Sequence, residues 1–132
     1  MNRAETRAYI LENYNVKEDH PWMDEPNYEV FRHFGNNKWF ALILDVPKNK
    51  FGLKDDGILD VLNVKCDPIV VGGLLGEPGF FPAYHMSKDK WISIALDGTA
   101  DDDKIKVLLD MSYNLTKPKV RKRRTDEKTD PA

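Results

Sequence analysis

The chain is short of the features that announce chemistry from sequence, and each shortage closes off a class of function. Cys66 is its one cysteine in 132 residues, so no intramolecular disulfide exists and an apolar core must hold the fold. A domain of that length buries well over half of its unfolded surface without metal or disulfide staples. No apolar run approaches the roughly 20 residues of a membrane span. The start, Met1-Asn2-Arg3-Ala4-Glu5, lacks a signal-peptide layout, so the expected address is the cytoplasm, away from membranes. There is no nucleophile elbow, paired-carboxylate signature or phosphate-binding glycine loop, and Gly72-Gly73 lacks the neighbours that would make one. His20, His33 and His85 stand far apart with no pair at ligand spacing, so neither a metal site nor a cofactor is expected. No catalytic constellation assembles, and a non-enzymatic role is expected.

Charge is plentiful but uneven. Residues 117–132 carry seven Lys/Arg against Asp126, Glu127 and Asp130, a net +4, so the whole-chain charge of −2 leaves −6 on residues 1–116. With Val120 as its one large aliphatic and no aromatic, the 117–132 segment cannot offset its ordering entropy by burial. It reads as a mobile basic tail after one folded domain, residues 1–116. The acidic body leaves nucleic-acid attraction to a local patch or to the tail, where Arg121, Lys122, Arg123 and Arg124 suffice to neutralise about four phosphates. A solubilising tail fits the same composition.

The elements follow from periodicity. Asn2 and Glu5 have capping-box spacing ahead of an apolar stripe through Ala4, Ala8, Leu11, Ile10 and Tyr14, which predicts a helix over 3–15. Residues 17–26 read as loop, closed by His20-Pro21-Trp22 and Glu25-Pro26. Strands follow at 28–34 and 38–46, joined by Gly35-Asn36-Asn37 as a hairpin loop. The second of these is apolar at both parities, which suits a central strand covered on two sides. A polar connection over 47–57 has the length to project as a wing. Residues 59–66 alternate, with Leu62, Val64 and Cys66 toward the core and Val61, Asn63 and Lys65 toward water. Asp67-Pro68 opens a short helix to Leu75. The 91–96 strand repeats the alternation, with Ile92, Ile94 and Leu96 inward and Trp91, Ser93 and Ala95 outward, and turns on Asp97-Gly98. Thr99 and Asp102 are placed to cap a last helix over 101–115. The expected class is α+β, an antiparallel sheet with the helices on one face and the other face open.

Five groups are weighed for chemistry. His85 is either a hydrogen-bonded histidine packed near the sheet edge or a ligand or phosphate contact. Trp91 is either half-buried packing or, with outward parity beside Lys65, a platform for stacking on a base or planar ligand. Lys65, Lys88 and Lys90 offer backbone contacts around it. Cys66 has inward parity and defaults to a small buried apolar side chain. Asp101-Asp102-Asp103 is most simply a helix N-terminus.

The segments Trp39-Phe40-Ala41-Leu42, Asn63-Val64-Lys65-Cys66-Asp67-Pro68, Tyr84-His85-Met86 with Lys88 and Trp91, Leu96-Asp97-Gly98, and Ser112-Tyr113-Asn114-Leu115 together resemble the MmcQ/YjbR family, small cytoplasmic bacterial proteins described as DNA-binding. The resemblance covers roughly three quarters of the chain, far beyond one short motif. It implies a CyaY-like (frataxin-like) arrangement shared with double-wing DNA-binding domains, and DNA as the partner, met by Lys65, His85, Lys88, Lys90 and Trp91 with Arg121, Lys122, Arg123 and Arg124 in support. The chain departs from relatives in carrying Ser87 for Asn, Lys90 for a second His, and Gly72-Gly73-Leu74-Leu75 where a basic residue is common. The acidic body keeps a second class open: an adaptor that uses the open sheet face for a protein partner or small ligand.

Overall fold

A computed structural model describes residues 1–119. The sequence-expected mobile tail therefore falls outside the described residues beyond Lys119, as do Arg121, Lys122, Arg123 and Arg124. The order is α1 (Arg3–Asn13), β1 (Val16–Asp19), β2 (Glu29–His33), β3 (Trp39–Pro47), a 3-10 turn (Lys48–Phe51), β4 (Ile58–Lys65), α2 (Pro68–Leu74), β5 (Phe80–Pro82), β6 (Trp91–Ala95) and α3 (Asp102–Thr116). One six-stranded sheet runs β1-β2-β3-β4-β6-β5, antiparallel at every junction. The class is α+β, as expected. No helix among the described residues is long and apolar enough to cross a membrane.

The capping box forms as read, with the Glu5 amide donating to Asn2 Oδ1 at 2.8 Å and the Asn2 amide to Glu5 Oε1 at 3.0 Å. The helix stops at Asn13, two residues short of expectation, because Tyr14 turns extended and feeds β1, a strand that the polar sequence 17–26 concealed. Arg7 then bridges α1 to Glu18 and Glu29, and Arg3 reaches Glu29 and Asp60. At the 33–38 hairpin, Asn37 takes φ 61°, a left-handed position that asparagine tolerates better than most residues. The last helix is capped by Asp101, whose carboxylate accepts from the Lys104 amide at 3.0 Å, rather than by Thr99. Thr99 is instead taken up by Asp97, which accepts from both its amide and its hydroxyl.

All three helices lie on one face. Ile10 of α1, Val71 and Leu74 of α2, and Ile105, Leu108 and Leu109 of α3 share a core with Phe31, Ala41, Ile43, Leu62, Val64, Ile92 and Ile94. The opposite face is not open, and this overturns the sequence reading. Val30, Leu42, Leu44, Val46, Val61, Trp91 and Ala95 form a second core, roofed by Trp22, Phe51, Tyr84 and Met86 from three connections. The 47–57 connection folds back rather than projecting as a wing, setting Phe51 4.9 Å from Phe81 and 6.1 Å from Tyr84, centroid to centroid. Ile92, Ile94 and Leu96 are buried as expected, but Ser93 is fully buried and Lys65 half-buried, so the parity was right and the solvent side wrong.

Candidate functional site

The second face is organised by a polar clip. Asn63 and Ser93 are cross-strand partners on β4 and β6, both at 0% exposure. Buried polar groups need partners, and these two find them in each other and in the Tyr84 backbone. The Ser93 hydroxyl donates to Asn63 Oδ1 at 2.6 Å, Asn63 Nδ2 donates to the Tyr84 carbonyl at 2.9 Å, and the Tyr84 amide donates to Ser93 Oγ at 3.0 Å. The sheet thus grips one residue of the 83–90 connection by both backbone groups. Lys88 Nζ reinforces the grip by donating to the Ala83 carbonyl at 2.6 Å.

Immediately after the clip, His85 takes φ 62°, in the left-handed region that a residue with a Cβ occupies at a cost. Its ring lies 3.9 Å from Tyr84 and 6.5 Å from Tyr28. There it borders a cavity of about 450 Å³ with Trp22, Asp24, Glu25, Tyr28, Trp39, Leu42, Leu44 and Met86 around it. Leu42 and Leu44 are on the second face of β3 and make an apolar floor. Trp22 stands at 81° to Tyr28 and 68° to Trp39, both at 5.6 Å, so the three rings form corner walls rather than a stack. Residues 22–28 hold this shape through hydrogen bonds from the Glu25 amide to the Trp22 carbonyl and from the Tyr28 amide to the Glu25 carbonyl. Burial, followed by the nearby Glu25 carboxylate, pushes the Tyr28 hydroxyl up to about 12, so it stays protonated.

A second feature is a cluster of lysines at one end of the sheet. The 33–38 hairpin, the end of β4 and the start of β6 share one end, since Ala41 pairs with Val64 and Lys65 with Trp91. The C-terminus of α3 is fastened there: Ser112 Oγ donates to the Phe40 carbonyl at 2.6 Å and accepts from the Lys65 amide at 2.9 Å, and Asn36 Nδ2 donates to the Thr116 carbonyl at 2.9 Å. Lys38, Lys65, Lys90, Lys117 and Lys119 gather at this end, none in an ion pair among the described residues. Asp67 and Asp89 are the acidic residues beside them in sequence. The far end is mixed in sign: Asp45 opposite Asp60, Asp97, and Asp101, Asp102 and Asp103 at the α3 N-terminus stand there with Arg3 on Asp60, Lys104 on Glu77, and Lys48, Lys50 and Lys54 of the 47–57 connection.

The expected site residues therefore part company. Lys65, Lys90 and the chain's exit toward Arg121 lie at the lysine end. His85 belongs to the cavity, and Lys88 is tied back to the Ala83 carbonyl. Trp91, at 9% exposure, is a wall of the second core and not a stacking platform, because the loops that roof the face cover its ring. Cys66 is buried, and burial pushes its thiol up to about 11, far from the range of a reactive thiolate. His33 is buried on the helix side, bonded to Thr116 Oγ1 at 2.8 Å, which separates it from His85. Glu18, His20 and Glu29 bring one potential ligand atom each within 4.8 Å of one another. Arg7 already donates to both carboxylates and supplies the positive charge there. Trp22, Tyr28 and Trp39 as a cavity escaped the sequence reading; the one available signal was Trp22, an indole in a polar loop whose turn chemistry does not call for one.

The model of the YjbR family matches residues 11–115. YyaQ, an uncharacterized protein of Bacillus subtilis (strain 168), is 38% identical over 117 residues, 89% of this chain and 99% of its own. A Pseudomonas syringae protein of known crystal structure is 43% identical and superposes with a TM-score of 0.85, over 88% of this chain and 99% of its own. A Deinococcus radiodurans protein of the DUF419 domain type is 26% identical with a TM-score of 0.67, over 96% of this chain and 86% of its own.

Proposed function

The chain belongs to the YjbR family, and from that premise we propose that it is a non-enzymatic DNA-binding protein whose lysine end lies against the phosphate backbone. The observation that carries this reading is the cluster of lysines at one end of the sheet. An acidic domain repels DNA as a whole, but Lys38, Lys65, Lys90, Lys117 and Lys119 share one end of the sheet, and the chain continues from it into Arg121-Lys122-Arg123-Arg124. Such a cluster supports contacts that fix position on the duplex without reading its sequence. Stacking by Trp91 is no part of the reading.

The test is a titration of duplex DNA at two salt concentrations with the full-length protein. Lys65→Ala with Lys90→Ala should flatten the salt dependence by close to two units of slope, and replacing Arg121 through Arg124 with Ala by close to four. If Lys65 and Lys90 make no difference while the four tail residues abolish binding, the folded domain takes no part, and the activity reduces to attraction by a basic segment.

A further inference from the structure

The cavity beneath His85 is not needed by a protein that holds DNA through its lysine end, and its chemistry suits a different ligand. We infer that it is a binding site for a small organic cation, an alkylated ammonium of about the size of choline.

Three observations converge on that class. The walls are aromatic: Trp22 stands at 81° to Tyr28 and 68° to Trp39 beside an apolar floor of Leu42 and Leu44, and rings set at steep angles around one space offer a compact cation contact with more than one ring. Trp39 already interacts with one cation, the Arg32 guanidinium 5.6 Å from its centroid, which Asp19 and the Asn37 carbonyl hold in place outside the cavity. The charge lining the opening has one sign among the described residues: Asp24 and Glu25 line it, neither is in an ion pair, and none of the described Lys or Arg residues lines the cavity. Those carboxylates attract an ammonium and repel a nucleotide, whose base would fit the rings but whose phosphate would face Asp24 and Glu25.

The cavity also shows signs of being constructed. The wall at His85 exists only because the chain enters the left-handed region there. Two buried polar side chains and the Lys88 ammonium are committed to holding the adjoining Tyr84 and Ala83 in place. At about 450 Å³ the volume falls within the range of small-molecule sites. The proposal is independent of DNA binding, since among the described residues none of the lysine end lines the cavity.

The experiment follows the indole N–H signals of the isotope-labelled full-length protein by NMR. The probes are choline chloride and its uncharged carbon isostere, 3,3-dimethylbutan-1-ol. Choline should produce saturable shifts at Trp22 and Trp39 larger than at Trp91. The isostere should bind about 5-fold or more weakly, because it keeps the shape and loses the charge. Asp24→Asn with Glu25→Gln, both exposed positions that leave the fold intact, should bring choline down to the level of the isostere. Trp22→Ala should abolish the Trp39 shift, with unchanged signals from the helix face reporting that the domain is folded. Lys65→Ala with Lys90→Ala should leave choline binding unaltered. Equal affinity for the two probes would make the cavity a merely apolar one and overturn the proposal. So would the absence of saturable shifts, or indifference to the Asp24 and Glu25 substitutions.

Discussion

Replacing Asn63 with Ala removes a side chain that makes two hydrogen bonds at 0% exposure, to the Tyr84 carbonyl at 2.9 Å and from the Ser93 hydroxyl at 2.6 Å. Each bond contributes about 1 kcal/mol net, and the deserted Tyr84 carbonyl adds a desolvation cost of about 1 kcal/mol because no side chain replaces the donor. Ser93 keeps its acceptor role toward the Tyr84 amide, so the clip is halved rather than erased. The expected loss is about 3 kcal/mol, a large part of the ~5–15 kcal/mol that holds a domain of this size. With a urea m-value of about 1.5 kcal/mol/M, the midpoint should fall by about 2 M at unchanged m.

Hydrogen exchange localises the effect. Ser93→Ala should expose the Tyr84 amide selectively, since Ser93 Oγ is its acceptor, while β3 and β4 amides stay protected until global unfolding. The double variant should cost less than the sum of the singles by about 1 kcal/mol or more, because the Ser93–Asn63 bond is lost in each. A midpoint shift worth less than 1 kcal/mol for Asn63→Ala, or strict additivity with Ser93→Ala, would refute the clip and with it the claim that the sheet fixes the wall of the cavity.

Two further outcomes bear on other parts of the fold. Burial holds the His33 imidazole below its usual range, the backbone contact at Tyr113 opposing this more weakly. The unfolded chain then binds the proton more readily, so stability is full above the unfolded value of about 6.5 and falls as pH drops toward the folded one. Urea midpoints between neutral and mildly acidic pH should show that loss, and His33→Gln should flatten it; an unchanged slope would exonerate His33. At Gly79, φ is 87° and a Cβ would sit 2.8 Å from the Ala100 amide nitrogen, whereas at Gly98, with φ 91°, nothing lies within 4 Å. Gly79→Ala should therefore cost about 2 kcal/mol or more and Gly98→Ala about 1 kcal/mol in thermal or urea unfolding, and equal losses would show that the Ala100 contact relaxes freely.

Periodicity carried much of the fold and stopped at a physical limit. The capping box, the amphipathic stripe of α3 and the parity of β4 and β6 are local, and they stand where the sequence puts them. Parity, however, says which residues share a face and not what covers it. Asn63 and Ser93 looked solvated because they are polar, yet Leu42, Leu44 and Val46 on the same face already required a cover. That cover comes from Trp22, Phe51 and Tyr84, on three connections distant in sequence, which no period reveals. Strands β1 and β5, of four and three residues, are too short to display alternation.

The same limit explains why the candidate residues were legible as a group and misread one by one. Three consecutive residues of β4 serve different neighbours. Asn63 grips the Tyr84 backbone on the second face, Val64 joins the helix-side core, and Lys65 ends the strand with its amide held by Ser112 and its side chain at the lysine end. Each demand is non-local, so the string stands out without disclosing its purposes. Because Asn63 and Lys65 share one rigid strand, the cavity and the lysine end keep a fixed spacing. Their side chains nonetheless serve separate sites, so loss of Lys65 should leave the clip intact and loss of Asn63 should leave the lysines in place. The two proposed activities are thus separable by substitutions two residues apart, and a change at either position that abolished both would show that the strand moves as a unit rather than serving as a fixed frame.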